Sequence, residues 1–240
     1  MPTQPLALEA DTLTGRIGPR TLTSAVYARL RTDILTGKCR PSEKLLIVPL
    51  GNRFSVSVAA VREALSRLVA DGLVIAEDQR GFRVSPLSLA DLHDVTQTRI
   101  ELECLALRLS ILRGDGAWEA ELDRAWAALC QPEFLTAQDR LNRAEAWSAL
   151  HGGFHAALVG ACGLEWLKRF RATLYEQSER YRLLGMAVTG GERDVHGEHR
   201  RIYEATRARD TVAAEAALAA HFQHTANAIA AACDSTALPA

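Results

Sequence analysis

A long run of helical periodicity, without a strand pattern, extends from Leu89 to Ala232 in this 240-residue chain. Apolar residues recur there every three or four positions, the spacing of a helix face that packs on a core. Short breaks with glycine, proline or aspartate divide the run into predicted helices: Leu89–Arg113, Ala117–Cys130, Ala137–Ala161, Glu165–Leu184, Gly191–Ala208 and Thr211–Ala232. This pattern predicts an all-α bundle of six or seven helices.

Residues 21–86 have a different pattern. Three helices are predicted, the third with Ser57 as its N-cap: Thr21–Thr36, Val48–Phe54 and Val58–Ala70. The pattern of residues 73–85 then predicts a β-hairpin around Gly81. Three helices followed by a hairpin is the order of a winged helix-turn-helix, so the expected fold is mainly α, with this small domain before the bundle.

These patterns give three segments. Residues 1–20 contain three prolines and two glycines, and we expect a flexible arm. Residues 21–86 form the predicted winged helix-turn-helix domain, and residues 87–233 form the predicted helical domain. The paired glycines Gly152 and Gly153 inside a predicted helix suggest close packing or room for a ligand, because glycine is unfavourable in a helix interior.

The charge is divided unequally between these domains. Residues 1–86 carry 12 basic and 8 acidic residues, whereas residues 87–240 carry 16 basic and 21 acidic residues. A basic small domain on an acidic larger one is typical of a protein that binds a polyanion such as nucleic acid. An asymmetry of this size also arises by chance, so both interpretations stay open at this point.

The cellular compartment is indicated by sequence features that are missing. No apolar stretch approaches the length of a bilayer span, and residues 1–20 do not have the order of a signal peptide. The five cysteines are scattered, odd in number and without a Cys-x-x-Cys pair, which suits a reducing compartment. We therefore expect a cytoplasmic protein with no membrane partner.

The third predicted helix has an outer face that could enter a major groove. Arg62 lies one turn from its start, where it can pair with guanine or phosphate, and the small side chain of Ala59 permits close approach. Phosphate contacts suit Lys44, Arg53 and Arg67, and Arg80 beside Gly81 suits the wing tip. For any single arginine the alternative is a solvated surface charge, which we favour for Arg67.

The histidines of the helical domain have spacings that bring side chains together. His151 and His155 are four residues apart on one predicted helix and so share a face, while His199 and His221 lie on two later helices. An i, i+4 pair of neutral imidazoles is a common way to hold a divalent metal, and two further histidines could complete the site. The alternative is a set of unrelated core and surface histidines, and spacing alone leaves both interpretations open.

The N-terminal domain resembles the GntR superfamily of transcription regulators. The segments that carry the resemblance are Pro41–Leu45, Ser57–Leu65, Leu68–Val74 and Arg80–Val84. The family has an arginine where Val58 stands, so the usual operator sequence does not transfer to this chain. Base reading would then rest on Arg62, on the Ser57 hydroxyl, and on apolar contact of Val58 or Ala59 with a thymine methyl group.

The helical domain resembles the FCD domain of the FadR subfamily within that superfamily. The matching segments are Arg99–Glu103, Phe154–Leu158, Glu198–Ile202 and Ala220–Phe222. In metal-binding members the ligands are an Asp, the His four residues later, and two later His. The resemblance therefore implies His151, His155, His199 and His221 as ligands, with His151 in place of the Asp. The Arg180–Arg182 segment and this His variant are most similar to the CsiR-type, glutarate-responsive repressors.

Histidine in place of aspartate changes the expected chemistry. A four-histidine site keeps the full charge of a divalent ion, which favours an anionic effector and a nitrogen-preferring metal, zinc first and nickel second. If His151 does not ligate, three histidines remain, and open positions are left for water or a ligand carboxylate. Arg99 is a candidate second anchor for a carboxylate, unless it forms an ion pair with Glu103. Tyr181 and Arg182 are candidate effector contacts.

The resemblance implies a homodimeric regulator, as a rule a repressor, that binds a palindromic double-stranded DNA operator and responds to a small carboxylate. A metal-responsive regulator, with the ion itself as signal, is one alternative. A helical His-metal hydrolase is another. We do not expect an enzyme, because Glu198 should point about 100° away from His199 along its helix, and no other carboxylate is placed to act as a base.

Overall fold

A computed structural model of the protein describes residues 19–78, 80–186 and 193–236. The elements in chain order are α1 (Pro19–Leu35), β1 (Lys44–Leu45), α2 (Ile47–Phe54), α3 (Val58–Ala70), β2 (Val74–Glu77), β3 (Gly81–Val84), α4 (Leu89–Arg113), α5 (Gly116–Leu129), a 3-10 turn (Pro132–Phe134), α6 (Ala137–Asn142), α7 (Ala144–Leu158), α8 (Glu165–Met186), α9 (Val195–Arg207) and α10 (Thr211–Thr236). The chain divides into two compact units, residues 1–87 and 88–240.

The first unit is a three-helix domain with a small antiparallel sheet in the order β1-β3-β2. Val26, Leu30 and Ile34 recur at four-residue spacing on α1 and are buried against the inner face of α3. Strand β1 was not predicted, because it has two residues and exists only through pairing with β3, where Leu45 faces Phe82. The predicted winged helix-turn-helix is confirmed.

Local capping sets the limits of the helix that carries the candidate DNA contacts. The Ser57 hydroxyl accepts a hydrogen bond from the Ala60 amide at 3.2 Å, as an N-cap residue does. The turn before it brings Ser55 to a left-handed φ of 53°. Gly51 fits under this turn, since an added Cβ would lie 3.1 Å from the Val56 carbonyl oxygen. The side chains of α3 are therefore held at defined positions.

The second unit is a helical bundle, with seven α-helices among the residues that the structure describes. Helix α4 has the predicted limits because the Ser88 side chain caps its start and Gly114 ends it. The helix predicted over Ala137–Ala161 is instead two helices, α6 and α7, separated at Arg143, where φ is −125°. No glycine or proline marks that break. The buried core includes Leu107, Leu122, Phe154, Leu158, Ile202 and Leu218.

The predicted arm, residues 1–20, lies mostly outside the described residues, and α1 begins at Pro19 within it. Within the described part of the chain, every helix is too short or too polar to cross a membrane.

Candidate metal centre and DNA-contacting face

Four histidines from three helices meet inside the bundle. Helix α7 supplies His151 and His155, α9 supplies His199, and α10 supplies His221. All four are buried, and one nitrogen from each lies within 4.8 Å of the others. The spacing in the sequence predicted the pairing on α7, and the packing of α7, α9 and α10 brings the other two histidines to it.

The two histidines of α7 face each other closely. Their Nε2 atoms are 3.2 Å apart, near the roughly 3.3 Å that separates two nitrogen ligands of a tetrahedral zinc ion. Gly152 lets α8 approach this helix, because a Cβ there would lie 2.7 Å from the Tyr175 hydroxyl oxygen. Gly153 has no atom within 4 Å of such a Cβ, so close packing accounts for the first of the two glycines only.

The ring nitrogens of this cluster fit a metal that prefers nitrogen ligands. Among the described residues, His199 Nε2 is buried without a hydrogen-bond partner, a situation that costs about 1–3 kcal/mol and that a bound metal would relieve. The Nδ1 atoms of His151 and His155 also have no partner there, but they are not the nitrogens that face each other. Burial, and then the nearby charges, hold the pKa values of His151, His155 and His199 well below the usual histidine range. These three rings are therefore neutral, the form that ligates metal.

His221 has a different environment, because Glu198 contacts it. Burial lowers the pKa of His221 to about 4, although the carboxylate of Glu198 opposes this shift. Its Nδ1 lies 2.8 Å from Glu198 Oε2. Burial alone would raise the pKa of Glu198, but hydrogen bonds from His221 and Arg193 outweigh it and hold that pKa well below its usual range. The expectation that Glu198 points away from His199 concerned α9 alone and did not include this contact, because His221 comes from another helix, α10.

A second buried group of charges lies beside the cluster. Arg99 donates from Nε to Glu103 at 2.9 Å, so the ion pair weighed as an alternative role is present. Arg171 donates from Nε to the other oxygen of Glu103 at 2.8 Å. The Nη2 atoms of both arginines are buried and have no hydrogen-bond partner among the described residues. Two guanidinium groups thus share one carboxylate and keep a surplus positive charge.

Sequence reasoning missed Arg171. Its signal was its position four residues after Leu167 on the buried face of α8, where a cation needs partners.

Aromatic rings connect these arginines to the histidines. The Arg99 guanidinium carbon lies 3.9 Å from the centre of the Phe222 ring, and that ring is 5.5 Å from His155. The Tyr175 ring lies 5.2 Å from the Arg99 guanidinium carbon and 6.5 Å from the His151 ring. The guanidinium groups and the imidazoles therefore border the same part of the bundle.

The two other candidate effector residues are adjacent on α8 but have different partners. The Tyr181 hydroxyl bonds to the backbone of Ser88 and to the Asp91 carboxylate, at the start of α4. Arg182 pairs with Glu179 and donates to the Ser148 hydroxyl on α7. The positive charge of Arg182 contributes to the low pKa of His151, after burial.

The predicted DNA-contacting side chains of the first unit fall into two groups. Some are exposed without an ion-pair partner among the described residues, and others already contact residues of the same unit. Ser57, Val58, Ala59 and Arg62 lie exposed at the start of α3, and Lys44, Arg80 and Gly81 are exposed in the sheet and wing. Among the described residues, Arg62, Lys44 and Arg80 have no ion-pair partner. These side chains are available to an external ligand.

Two of the predicted phosphate contacts are already engaged within the unit. Arg53 donates to the buried carboxylate of Asp33 at 2.6 Å. The Arg67 guanidinium carbon lies 4.1 Å from the centre of the Tyr27 ring. Both arginines therefore contribute to the structure of the unit whatever else they contact.

Family comparisons match both units. Residues 22–84 match the model described as bacterial regulatory proteins of the gntR family, and residues 94–224 match the FCD domain model. The regulator BphR of Paraburkholderia xenovorans, described as uncharacterized, is 42% identical over 80% of this chain and 78% of its own length. The transcriptional repressor GlaR of Escherichia coli is 34% identical over 81% of this chain and 90% of its own.

Solved structures show the same fold. McbR/YncC of Escherichia coli superposes with a TM-score of 0.69 at 20% identity, over 88% of this chain and 97% of its own. A GntR family transcriptional regulator from Pseudomonas syringae superposes with a TM-score of 0.52 at 25% identity, over 91% of this chain and 88% of its own.

Proposed function

Because this chain belongs to the GntR family of DNA-binding transcriptional regulators and carries an FCD domain, we propose that it is a repressor controlled by a small carboxylate at a histidine-bound metal. Its relatives are transcriptional regulators, not enzymes. The observation that carries the proposal is the pairing of four buried histidines with two buried arginines whose Nη2 atoms have no partner in the described part of the chain.

The metal site consists of His151, His155, His199 and His221. FCD domains are known to bind metals, and a set of four neutral nitrogen donors favours zinc, with nickel as the second choice. The bound ion would supply a Lewis-acidic positive centre, which a carboxylate oxygen would reach as an additional ligand or at the position left open if His151 does not ligate. The imidazoles are all neutral, so they leave the charge of the ion uncompensated within the ligand set, and a negative ligand is favoured.

The carboxylate effector is supported by the arginine pair. A buried, incompletely paired guanidinium group is unfavourable, and a carboxylate matches its planar donor geometry. Arg99 and Arg171 each have one free Nη2 for such a ligand. Arg182 lies on the same helix as Arg171 and contacts α7, so it is placed to respond to occupancy of the site.

DNA binding is assigned to the exposed face of α3 and the wing. Arg62 is the side chain for base contacts, with the Ser57 hydroxyl and the apolar Val58 and Ala59 beside it, whereas Lys44 and Arg80 suit phosphates. Arg53 and Arg67 would hold the fold of this unit and add phosphate contacts. Gly81, with φ of 94°, shapes the wing.

A homodimer on a palindromic operator in the cytoplasm completes the proposal. GntR regulators are typically dimeric, and two copies related by two-fold symmetry read inverted half-sites. The solvent-exposed aromatic pair of α8, Trp166 at 67% and Phe170 at 57% exposure, offers an apolar surface for a second copy. Effector binding would shift the equilibrium between dimer forms of different DNA affinity.

The test separates the metal from the carboxylate. Operator DNA, selected from random duplexes, is titrated with metal-free protein, with zinc-loaded protein, and with zinc-loaded protein plus a panel of short mono- and dicarboxylates. We expect release only with metal and an acid together, and Arg171→Gln should weaken release without changing zinc affinity. Release or binding set by zinc alone would favour the metal sensor instead, and no effect of either would overturn the proposed switch.

A further inference from the structure

Glu198 has no role in the function proposed above, yet it is buried and in contact with the cluster. We propose that it is a positioning residue: its carboxylate fixes the ring orientation and tautomer of His221, so that Nε2 of this histidine is presented to the metal. The inference rests on the proposed metal site, and its test includes a measurement that does not need metal.

Arg193 keeps the Glu198 carboxylate ionised and in place. Arg193 Nε donates to Glu198 Oε1 at 2.8 Å, and Nη2 donates to Oε2. The same guanidinium group donates to the His221 carbonyl oxygen at 2.9 Å and to the Thr225 hydroxyl oxygen at 2.8 Å. Arg193 thus joins the carboxylate to the backbone of α10, the helix that carries His221.

The tautomer follows from the chemistry of the contact. An ionised carboxylate can only accept hydrogen bonds, so the 2.8 Å contact from His221 Nδ1 to Glu198 Oε2 requires the proton on Nδ1. The lone pair is then on Nε2, the nitrogen left for a metal. A carboxylate that orients a ligating histidine in this way also raises the basicity of the ring.

Among the described residues, the other three histidines have no carboxylate partner. His199 Nδ1 contacts the Val195 carbonyl oxygen at 2.7 Å, a backbone partner that mutation cannot remove. In the part of the chain that the structure describes, the Nδ1 atoms of His151 and His155 have no partner. Within that part, a carboxylate orients His221 and none of the other three, so substitution of Glu198 tests this contact separately from the ligands.

The experiment uses Glu198→Gln and Glu198→Ala in the full-length protein. His224→Gln is the matched control, because His224 Nδ1 lies 3.2 Å from Glu198 Oε1 but the side chain is 55% exposed. Zinc and cobalt affinities are measured by chelator competition, and cobalt absorption spectra report the ligand field. Loss of an orienting partner of this kind weakens metal binding about 10- to 100-fold. We expect that loss for Glu198→Ala, a smaller one for Glu198→Gln, and less than twofold for the control.

The second readout is the ¹⁵N chemical shifts of the His221 ring in metal-free protein. Wild type should show a single tautomer with the proton on Nδ1, and Glu198→Gln should show a mixture. Unchanged affinity together with an unchanged tautomer in both variants would overturn the inference. If wild type bound no metal, the proposed metal site would fail, and the tautomer measurement alone would decide the role of Glu198.

Discussion

The two units of this protein place their charged groups in opposite ways. In the first unit Arg62, Lys44 and Arg80 lie on the surface, without ion-pair partners among the described residues. In the second unit the charged groups of Arg99 and Arg171 are almost completely buried, beside four buried neutral histidines. Exposed cations keep their hydration and lose little on meeting a polyanion, whereas buried ones are stable only with partners or a ligand. The first arrangement suits a large external partner, and the second suits a small enclosed one.

The largest effect should come from removing the carboxylate that the buried arginines share. Glu103→Leu leaves two guanidinium groups without their anion, and we expect a loss of about 3–5 kcal/mol in the free energy of unfolding. Urea denaturation measures it. The control is Glu121→Gln, which removes an exposed pair with Arg124 and should cost less than about 1 kcal/mol. Similar losses for both variants would remove the distinction between buried and exposed charge.

Acid should also destabilise the buried set. In the unfolded chain His221 takes up a proton near pH 6.5, whereas in the folded metal-free protein burial lowers its pKa to about 4. Between these values the unfolded chain binds more protons, so the free energy of unfolding falls as the pH drops from about 6.5 to about 4. The loss is roughly 3 kcal/mol for this group.

Denaturant unfolding of chelator-treated protein at several pH values measures how steeply the free energy of unfolding changes with pH. We expect a shallower slope for His221→Asn, while replacement of the exposed His93 by glutamine should leave it unchanged. A wild-type stability that did not vary over this range would contradict the burial of neutral rings.

In the first unit the expected effect is on binding and not on stability. Arg62→Ala should weaken operator binding by about 1–3 kcal/mol, because a base contact is lost, with little change in unfolding free energy. Fluorescence anisotropy with selected operator DNA measures it. Arg124→Ala, an exposed arginine of the other unit, is the control. Equal losses for the two would show a general charge effect in place of a specific contact.

The smallest effect tests the contact between α7 and α8. Gly153→Ala should stabilise the protein by about 0.5–1 kcal/mol, because the site has room and alanine favours the helix. Gly152→Ala should be less favourable by about 1 kcal/mol, since the new methyl group must displace the Tyr175 hydroxyl. Thermal unfolding compares them, and equal stabilities would mean that Tyr175 moves freely.

Much of the fold could be predicted because it is encoded locally. Apolar periodicity and the break at Gly114 predicted the limits of α4, where the structure adds the Ser88 cap, and Ser57 as N-cap predicted the start of α3. What could not be predicted depends on residues distant in the chain. Strand β1 has two residues and depends on pairing with β3. The break between α6 and α7 at Arg143 has no glycine or proline that would have predicted it.

In the candidate metal centre, too, local features could be predicted and contacts between distant residues could not. The i, i+4 spacing placed His151 beside His155, and the structure brings His199 and His221 to them. Helix geometry alone put Glu198 away from His199, which is correct on α9 but ignores His221 on α10. The partners of Arg53 and Tyr181, which are Asp33 and the start of α4, likewise depend on packing that spacing does not encode.

The four histidines of the cluster come from three different helices, and this affects the order of events during folding. Some 70 residues of chain separate His151 from His221, so the complete set exists only after α7, α9 and α10 have packed. Closing so long a segment carries an entropic cost that must be met before the contacts form. A chain that has folded part of the way holds no more than the local pair on α7. Tight metal binding should therefore be limited to the fully folded protein, and partly folded chains should remain metal-free.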